Sequence, residues 1–330
     1  MKIGIVGATG EVGRQMQICL DERIKDIDEL RLFASPKSAG RKIVFQGKEI
    51  EVQVVKEGCF DGLDYVLGAV SNALSKECRP MIEKAGAVYI DNSSAFRLEE
   101  GVPLVVPEIN GEDALWNKGV IANPNCSTII TYMAVAAVHQ QLSPIKKMVA
   151  TTFQAVSGAG AGGPIELHDE ILAIEKGEPV EPKVFSAQIA YNCIPQIGSI
   201  NDNGYSTEEM KMQNEGRRIM HAPELAVTCT CVRVPVYRSH SISVTFHTEE
   251  PVSIEAAEEA ISRFPGVKLI KDGLPMPLDT SDQDLVYVGR IRKDLTDPNG
   301  LTLWCCGDQV RKGAAANAVQ ILEYLENAKK

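Results

Sequence analysis

The chain has 330 residues, 44% of them hydrophobic and 24% charged, which is the composition of a globular protein large enough for two domains. Its net charge of −10 and the absence of a basic run argue against nucleic acid and against an anionic membrane as partners. The N-terminus runs directly into a glycine turn rather than a signal peptide, and no apolar run reaches the roughly 18 residues needed to span a bilayer, so we expect a cytoplasmic protein.

Strands and helices are predicted to alternate in the first half of the chain. Apolar runs predict strands at 2–6, 30–35, 64–70, 87–91 and 119–123, with helices at 13–23 and 76–84. Parallel strands need helical crossovers, so this alternation predicts a parallel sheet covered on both faces, an α/β domain of the nucleotide-binding kind.

The second half of the chain has a different order of predicted strands and helices. Strands are predicted at 147–156, 226–235, 239–248, 285–291 and 301–306, and helices at 163–175, 207–220, 253–264 and 312–327. The second and third of these strands are joined by the short turn Val236–Arg238, which predicts an antiparallel hairpin within a mixed sheet.

A glycine turn follows the first predicted strand and begins a helix. Its residues are Gly7, Ala8, Thr9, Gly10, Glu11, Val12 and Gly13. Glycines let the backbone approach a pyrophosphate, and a helix N-terminus offers free N–H groups and the positive end of a dipole. A tight turn without a ligand is the alternative, but the position after the first strand favours phosphate binding.

The end of the second predicted strand indicates which dinucleotide is bound. An NAD enzyme usually has Asp or Glu there to bind the ribose 2′-hydroxyl, and this chain has neither. It has Ser35, Lys37, Ser38 and Arg41, whose hydroxyl and cationic groups suit a 2′-phosphate. The segment therefore favours NADP, and a solvated basic turn is the alternative.

One of nine cysteines has the setting of a nucleophile. The others lie mostly in apolar runs and not at metal-ligand spacings, which predicts a reducing compartment and no metal site. Pro124 ends a strand, so Cys126 falls in the first turn of a helix, where the dipole and the unpaired N–H groups lower a thiol pKa from about 8.5 toward 7. A half-buried structural thiol is the alternative.

A nucleophilic thiol needs an acid/base partner, and His240 is the strongest candidate among five histidines. Arg233 and His240 lie on either side of a tight reversal, so both side chains can point toward one cleft. A solvated histidine at a turn is the alternative. A second glycine-rich turn, in the segment Phe153–Gly163, suits close approach to a nicotinamide ring, and a flexible connector is its alternative.

Nine short motifs are distributed along nearly the whole chain. They are GATGEVG at 7–13, SPKSAGR at 35–41, NSSAFR at 92–97, PNCST at 124–128, FQAVSGAG at 153–160, EEMKM at 208–212, CVRVPVYRSHS at 231–241, VGRIRKD at 288–294 and GDQVRKGAAANAVQI at 307–321. In this order they resemble the aspartate-β-semialdehyde dehydrogenase family. The resemblance implies a Rossmann-like NADP-binding domain at 1–127 and an α+β catalytic and dimerisation domain with a mixed sheet at 128–310. It also implies that the C-terminal helix, at 311–330, packs back on the first domain.

The resemblance also assigns roles to individual residues. Three would carry the chemistry: Cys126 as the acyl-enzyme nucleophile, His240 as the acid/base and Gln154 as the residue that orients the substrate. Four would bind the substrate: Arg97 and Lys211 its phosphate, Arg233 its carboxylate and Glu208 its ammonium. The remaining positions would bind NADP: Thr9 to Val12, Lys37, Ser38, Ser157, Gly158 and Gln309.

The implied activity is the NADPH-dependent reductive dephosphorylation of L-aspartyl 4-phosphate to L-aspartate 4-semialdehyde through a cysteine thioester. This reaction serves the biosynthesis of lysine and diaminopimelate, methionine, threonine and isoleucine. The chain would assemble as a homodimer or a dimer of dimers. A related acyl-phosphate reductase, such as N-acetyl-γ-glutamyl-phosphate reductase, and a non-catalytic NADP-binding paralogue are the alternatives.

Overall fold

The computed structural model describes all 330 residues, and backbone contacts group them into two compact units. The first unit contains Met1–Asn125 and Ala314–Lys330, and the second contains Cys126–Gly313. The predicted domain boundaries, at residues 127 and 310, fall close to these limits without coinciding with them. That the first unit binds the cofactor and the second carries catalysis stays a prediction.

A largely parallel sheet forms the centre of the first unit. Its seven strands are β1 (Lys2–Val6), β2 (Glu29–Phe33), β3 (Lys42–Phe45), β4 (Lys48–Gln53), β5 (Tyr65–Gly68), β6 (Val88–Asp91) and β7 (Val120–Ala122). They lie in the order β3-β4-β2-β1-β5-β6-β7, and only the β3–β4 pair at one edge is antiparallel. β2 and β5 flank β1 on opposite sides, which puts the ligand-binding switch point of a Rossmann-type sheet at the carboxyl end of β1. The predicted parallel sheet is confirmed.

Four helices belong to the first unit: α1 (Glu11–Arg23), α2 (Asn72–Ala85), α3 (Pro107–Asn110) and, from the end of the chain, α9 (Ala316–Ala328). α1 and α9 pack together, and Leu20, Val319 and Leu322 belong to the same apolar core. Arg23 and Glu323 join the two helices through an ion pair at 2.7 Å. The C-terminal helix therefore completes the first unit.

A mixed sheet forms the centre of the second unit. Its six strands are β8 (Ile145–Gln154), β9 (Ala226–Arg233), β10 (His240–Thr248), β11 (Val267–Ile270), β12 (Val286–Lys293) and β13 (Gly300–Gly307). They lie in the order β11-β12-β13-β10-β8-β9. The β8–β9 and β11–β12 pairs are parallel and the other three are antiparallel, which confirms the predicted mixed sheet.

The predicted hairpin between residues 226–235 and 239–248 is wrong. β8 lies between β9 and β10, and it pairs with β9 in parallel and with β10 in antiparallel orientation. The connecting residues cross the end of β8, where the carbonyl of Val236 accepts the N–H of Val156 at 2.8 Å. A short link can join strands that are not neighbours because it runs over the end of the strand between them.

Five helices belong to the second unit: α4 (Cys126–Gln141), α5 (Gly162–Lys176), α6 (Thr207–Ile219), α7 (Ile254–Arg263) and α8 (Pro277–Thr280). α4 packs against β10, β12 and β13 as well as against α6 and α7. Every residue from Ser127 to Val138 is buried, which explains why this helix is apolar on all sides. None of the protein's helices has the combined length and apolarity of a membrane span.

Candidate functional site

The turn between β1 and α1 has the geometry of a phosphate-binding turn. Gly7 has a φ of +88°, and a Cβ there would lie 2.2 Å from the carbonyl oxygen of Ala69. A Cβ at Gly13 would lie 2.1 Å from the carbonyl oxygen of Gly7. Only glycine fits at both positions, so the chain turns tightly before α1 begins at Glu11. Gly10 caps this helix without a side-chain hydrogen bond, which suits capping by an anionic ligand.

A cavity of about 480 Å³ adjoins this turn at the carboxyl ends of β1, β2 and β5. The hydroxyl residues Thr9, Ser35 and Ser71 line it together with apolar side chains, and no carboxylate does. The Thr9 hydroxyl donates to Ser38 Oγ at 3.3 Å, while Lys37 and Arg41 are exposed nearby in sequence. The volume and the lining suit the adenosine part of a dinucleotide.

Cys126 is the first residue of α4 in the second unit, and its side chain is partly exposed. The segment Arg311–Ala315 is π-helical, a conformation that is frequent at functional sites. A Cβ on Gly313 would lie 2.8 Å from Cys126 Cβ and 3.2 Å from its Cα. Glycine at this position therefore permits the π-helical turn to approach the thiol residue.

His240 lies directly beside the thiol. Its Nε2 is 3.4 Å from Cys126 Sγ, and its Nδ1 accepts the backbone N–H of Ala155 at 3.0 Å. The side chain is fully buried, and this burial together with the positive charge of Arg233 lowers the pKa of His240 to about 3, against the opposing charge of Glu208. The imidazole is therefore neutral near neutral pH.

Gln154, Glu208 and Lys211 form a hydrogen-bonded group in the same unit. Gln154 Nε2 donates to Glu208 Oε1 at 3.3 Å, and Lys211 Nζ donates to Glu208 Oε2 at 2.8 Å. The Thr152 hydroxyl donates to Gln154 Oε1 at 3.0 Å, which fixes the orientation of the amide. Lys211 and Glu208 thus place a positive and a negative charge side by side on α6. This arrangement suits a substrate that carries both charges.

Arg233 ends β9 and is only 6% exposed. Its Nη1 donates to the carbonyl of Ala155 at 2.6 Å, and its guanidinium carbon lies 5.8 Å from the centre of the Phe185 ring. Burial lowers the pKa of Arg233, but a guanidinium stays protonated in proteins. Arg233 and Phe185 also line a cavity of about 220 Å³. The arrangement offers a fixed cation to a small anionic ligand.

The turn after β8 fits closely against these groups. A Cβ on Gly158 would lie 2.8 Å from Nη1 of Arg233, so a larger residue would displace the guanidinium. Gln309 donates from Nε2 to Ser157 Oγ and accepts the N–H of Ser239 at 2.8 Å. Ser239 has a φ of +72°, which is uncommon for a residue other than glycine, directly before the histidine of the site. Ser157 and Gln309 therefore hold the backbone at that histidine.

Arg97 belongs to the first unit and is 8% exposed. Its Nε donates to the carbonyl of Asn123 at 2.9 Å, and its Nη2 donates to that of Asn92 at 2.7 Å. The predicted site residues are thus divided between the units. The second unit brings together Cys126, Gln154, Glu208, Lys211, Arg233 and His240, while the glycine turn and Arg97 lie in the first.

Three other thiols, those of Cys78, Cys305 and Cys306, are buried in surroundings that disfavour their ionisation. Burial raises the pKa of Cys78 to about 12 and that of Cys306 to about 11. It raises the pKa of Cys305 well above its ordinary value as well. Such thiols stay protonated at neutral pH and do not act as nucleophiles. That Cys126 is the reactive sulfur stays a prediction.

Comparisons with known proteins identify the family. The family model described as "Semialdehyde dehydrogenase, NAD binding domain" matches residues 2–116, and "Semialdehyde dehydrogenase, dimerisation domain" matches residues 135–312. The curated aspartate-semialdehyde dehydrogenase of Synechocystis sp. is 47% identical over 329 residues, which cover 98% of this chain and 97% of that protein. The chain belongs to the aspartate-semialdehyde dehydrogenase family.

Other members of the aspartate-semialdehyde dehydrogenase family are similar to this chain over nearly its whole length. The protein of Aquifex aeolicus is 45% identical over 333 residues, covering 98% of this chain and 97% of its own. A crystal structure described as aspartate semialdehyde dehydrogenase II complexed with ASA, from Vibrio cholerae, has a TM-score of 0.97 and 41% identity, covering 99% of this chain and 98% of that chain. The resemblance indicated by the nine motifs is confirmed.

Three groups at the site of this family member were not identified from the sequence: the backbone N–H of Ala155, the side chain of Asp308 and Gly313. Asp308 is fully buried, and its Oδ2 accepts both Arg238 Nε and the N–H of Asp282 at 2.7 Å. Asp308 and Gly313 belong to the motif GDQVRKG, which was a signal for them. The amide of Ala155 gives no such signal, because every residue except proline has one.

Proposed function

We propose that this chain catalyses the NADPH-dependent reductive dephosphorylation of L-aspartyl 4-phosphate to L-aspartate 4-semialdehyde, together with the phosphate-dependent reverse reaction. The observation that carries the proposal is the 3.4 Å contact of Cys126 Sγ with His240 Nε2 at the start of α4. Arg233, Glu208 and Lys211 belong to the same unit. A nucleophilic sulfur with cationic and anionic neighbours suits an acyl phosphate that also carries a carboxylate and an ammonium.

Cys126 acts as the nucleophile on the acyl carbon. The N–H groups and the positive dipole end of α4 favour its thiolate, and so does the contact with His240. Attack by the sulfur displaces phosphate and leaves the acyl group on the enzyme as a thioester. A reduced nicotinamide, when bound, would supply the hydride that reduces the thioester to the aldehyde. The N–H groups at the start of α4 can stabilise the developing oxyanion, and one such donor is typically worth roughly 3–4 kcal/mol.

Arg233, Glu208 and Lys211 bind the substrate in this proposal. Arg233 is held by one hydrogen bond to Ala155, and its other N–H groups suit a carboxylate bound through two parallel hydrogen bonds. Glu208 accepts the substrate ammonium. Lys211, which pairs with Glu208 at 2.8 Å in the structure, neutralises the phosphate, and Arg97 is proposed for the same role. Gln154 orients the acyl group, since its amide is fixed by Glu208 and Thr152.

NADP is the proposed cofactor. A match to a semialdehyde dehydrogenase NAD-binding domain supports a nicotinamide dinucleotide of either kind. The glycine turn suits the pyrophosphate, while Lys37, Ser38 and Arg41 suit the 2′-phosphate because no carboxylate lines the adjoining cavity. Arg41 also lines a second cavity, of about 430 Å³, that shares Thr9 with the first.

The second unit offers a surface for a homodimer. Residues of β10 alternate between a buried face toward α4 and an open face, where the Thr245 and Thr302 hydroxyls lie 2.9 Å apart. On the open face, the rings of Phe153 and Trp304 lie 5.4 Å apart and Val149 is 40% exposed. An exposed patch of this composition marks a contact surface. We expect Val149→Glu to be monomeric in light scattering, because it places a charge in this surface. The mass of the wild-type protein, two or four chains, distinguishes a dimer from a dimer of dimers.

The test of the proposed activity is the reverse reaction. Purified protein is mixed with semialdehyde, phosphate and NADP⁺, and the absorbance of the reduced nicotinamide is followed; the assay is repeated with NAD⁺. We expect reduction that depends on phosphate and is at least about tenfold faster with NADP⁺, a preference equivalent to about 1.4 kcal/mol. Cys126→Ser is the matched control, because it preserves the shape of the side chain and removes the thiolate.

Forward assays with two acyl phosphates distinguish the alternatives. A preference for N-acetyl-γ-glutamyl phosphate over aspartyl phosphate would contradict the proposed substrate and indicate the related reductase. Binding of NADPH without turnover of either compound would contradict the proposed activity and indicate a non-catalytic paralogue. Turnover of aspartyl phosphate that survives in Cys126→Ser would contradict the covalent route alone.

A further inference from the structure

Arg97 is held by two backbone carbonyls at the carboxyl edge of the parallel sheet. Its Nε donates to the carbonyl of Asn123 at 2.9 Å, and its Nη2 donates to that of Asn92 at 2.7 Å. Asn92 directly follows β6 and Asn123 directly follows β7, and these two strands are parallel neighbours. Both carbonyls are neutral, so these contacts orient the guanidinium without neutralising the charge that a phosphate needs.

The side chains of the same two asparagines are joined to each other and to a third. Asn123 Nδ2 donates to Asn92 Oδ1 at 2.8 Å, and Asn92 Nδ2 donates to the carbonyl of Gly68 at 3.0 Å. Asn317, on α9, donates from Nδ2 to Asn123 Oδ1 at 2.7 Å and to the carbonyl of Val105 at 2.9 Å. We call the side chains of Asn92, Asn123 and Asn317 the asparagine network, and all three residues belong to the first unit.

The ends of the asparagine network fix the orientation of its amides. Backbone carbonyls only accept hydrogen bonds, so the amide nitrogen must face the carbonyl at each end, that of Val105 or that of Gly68. Turning the Asn317 amide over would place its oxygen against the oxygens of Val105 and Asn123. Asn317 is fully buried and Asn123 is 1% exposed, so the mismatched groups would stay unsatisfied, which is unfavourable. One arrangement of the three amides therefore satisfies these groups.

We propose that Asn317 is a positioning residue for phosphate binding. Through the asparagine network it fixes the two backbone carbonyls that orient the Arg97 guanidinium. This inference rests on the proposed function, in which Arg97 binds the phosphate. A guanidinium recognises a phosphate through N–H groups that lie in one plane, so its orientation decides how many of these groups reach the phosphate oxygens.

The two carbonyls depend on the asparagine network because they lie beyond the paired part of the strands. The register of β6 and β7 ends at Asp91 and Ala122, one residue before each asparagine. The hydrogen bond between the Asn92 and Asn123 side chains joins the two segments at this point. Removal of the Asn317 amide leaves the Asn123 oxygen without this donor, so the Asn123 amide no longer has one preferred orientation. The spacing of the two carbonyls then changes, and the guanidinium turns with them.

A purely structural role of Asn317 is the alternative, because α9 packs on α1 and completes the first unit. Gln320, on the same helix, provides a matched control. Its Nε2 donates to Glu108 Oε1 at 3.0 Å, outside the asparagine network. Asn317→Leu and Gln320→Leu each replace an amide of α9 with an apolar side chain, but only the first substitution breaks the asparagine network.

The reverse reaction with varied phosphate tests the inference. We expect Asn317→Leu to raise the KM for phosphate about 10- to 100-fold, the cost of one hydrogen bond to a charged group, while the KM values for semialdehyde and NADP⁺ change less than about threefold. Gln320→Leu should leave all three KM values within about twofold of wild type. A wild-type KM for phosphate in Asn317→Leu, shown to be folded by circular dichroism, would overturn the inference. So would an equal rise in Gln320→Leu.

A double variant tests whether Asn317 acts through Arg97. Lysine binds a phosphate as a point charge, so Arg97→Lys keeps the charge but has no plane to orient. In this background we expect Asn317→Leu to raise the KM for phosphate further by less than about threefold, because both residues act through one contact. A further rise as large as that in the wild-type background would show that Asn317 acts independently of Arg97, and the inference would be wrong.

Asn92→Ala opens the asparagine network at its other end and leaves α9 intact. Asn92 is half-buried, whereas Asn317 is fully buried, so this variant decides the question if Asn317→Leu does not fold. We expect the KM for phosphate to rise again while the KM for NADP⁺ changes little. An unchanged KM for phosphate would contradict the role of the asparagine network.

Failure of the inference differs from failure of the proposed function. If wild-type protein does not reduce NADP⁺ in a phosphate-dependent reaction, the proposed function fails and the inference falls with it. If it does so and Arg97→Lys keeps the wild-type KM for phosphate, the phosphate role of Arg97 is wrong. If the KM rises in Arg97→Lys but not in Asn317→Leu or Asn92→Ala, only the inference about Asn317 fails.

Discussion

Replacing Gly313 with alanine should displace the reactive sulfur while every group of the site remains present. The new Cβ would lie 2.8 Å from Cys126 Cβ and 3.2 Å from its Cα, whereas carbon atoms in ordinary contact are about 3.5–4.0 Å apart. The atoms in collision belong to the first turn of α4 and not to a flexible side-chain end. Relief of the collision therefore moves Cys126 or residue 313 by several tenths of an ångström, and roughly 1 Å of misplacement costs about 10²-fold in rate.

We expect kcat of Gly313→Ala to fall roughly 10- to 100-fold on this argument. The KM for NADP⁺ should change little, because residue 313 is not one of the positions assigned to NADP binding. Steady-state kinetics and the rate of Cys126 alkylation by iodoacetamide measure the effect, and circular dichroism confirms folding. Ala315→Gly is the matched control. It lies in the same π-helical turn, removes an atom instead of adding one and costs about 1 kcal/mol of stability.

The comparison of these two variants decides whether close packing or general stability is responsible. A folded Gly313→Ala protein with wild-type kcat and alkylation rate would refute the claim that residue 313 sets the position of the sulfur. An equal loss of kcat in Ala315→Gly would show that any disturbance of the turn has this effect, and the steric explanation would again be wrong.

Three further predictions concern other parts of the site. Arg233→Leu should raise the KM for the acyl phosphate about 10- to 100-fold, the equivalent of losing hydrogen bonds to a charged group worth about 1.5–3 kcal/mol, and an unchanged KM would reject the carboxylate role. Asp308→Asn should lower the free energy of unfolding in urea by roughly 1.5–3 kcal/mol, because Arg238 loses a charge-assisted hydrogen bond while it keeps its ion pair with Asp282; a loss below about 0.5 kcal/mol would show that the Arg238–Asp308 pair is dispensable. His240 accepts a proton near pH 6.5 in the unfolded chain but only near pH 3 in the folded protein, so stability is present above this window and is lost as pH falls through it. The slope from this residue should be about 1.4 kcal/mol per pH unit, and equal slopes in wild type and His240→Gln would contradict it.

Local patterns in the sequence were sufficient to predict the parallel sheet, the glycine turn and the helix that begins at Cys126. Each depends on a few neighbouring residues: apolar runs for strands, Gly7 and Gly13 for the turn, and Pro124 before the thiol. The edge hairpin β3–β4 was missed. Its turn, Gln46-Gly47, has positive φ at both residues, but glutamine is not the Asn or Asp that usually signals such a turn.

Contacts between residues distant in sequence could not be predicted in the same way. The link between β9 and β10 is short, and nothing in it shows that β8 lies between them. His240 was recognisable as a candidate, but its Nδ1 accepts the N–H of Ala155, 85 positions earlier in the chain, and no local pattern indicates this contact. Gly313 matters because it has no Cβ, since a Cβ there would collide with Cys126. This restriction arises only when α4 and the π-helical turn pack together, so the local sequence does not indicate it.

Mass spectrometry of the acylated enzyme tests the central claim most directly. The protein is mixed with aspartyl phosphate in the absence of NADPH, quenched in acid and digested. The peptides that contain the nine cysteines are then examined for an added aspartyl group. We predict an aspartyl adduct on Cys126 that disappears when NADPH is added, and none on Cys193, the exposed cysteine. Normal turnover without an adduct on Cys126, or an adduct on a different cysteine, would contradict the account.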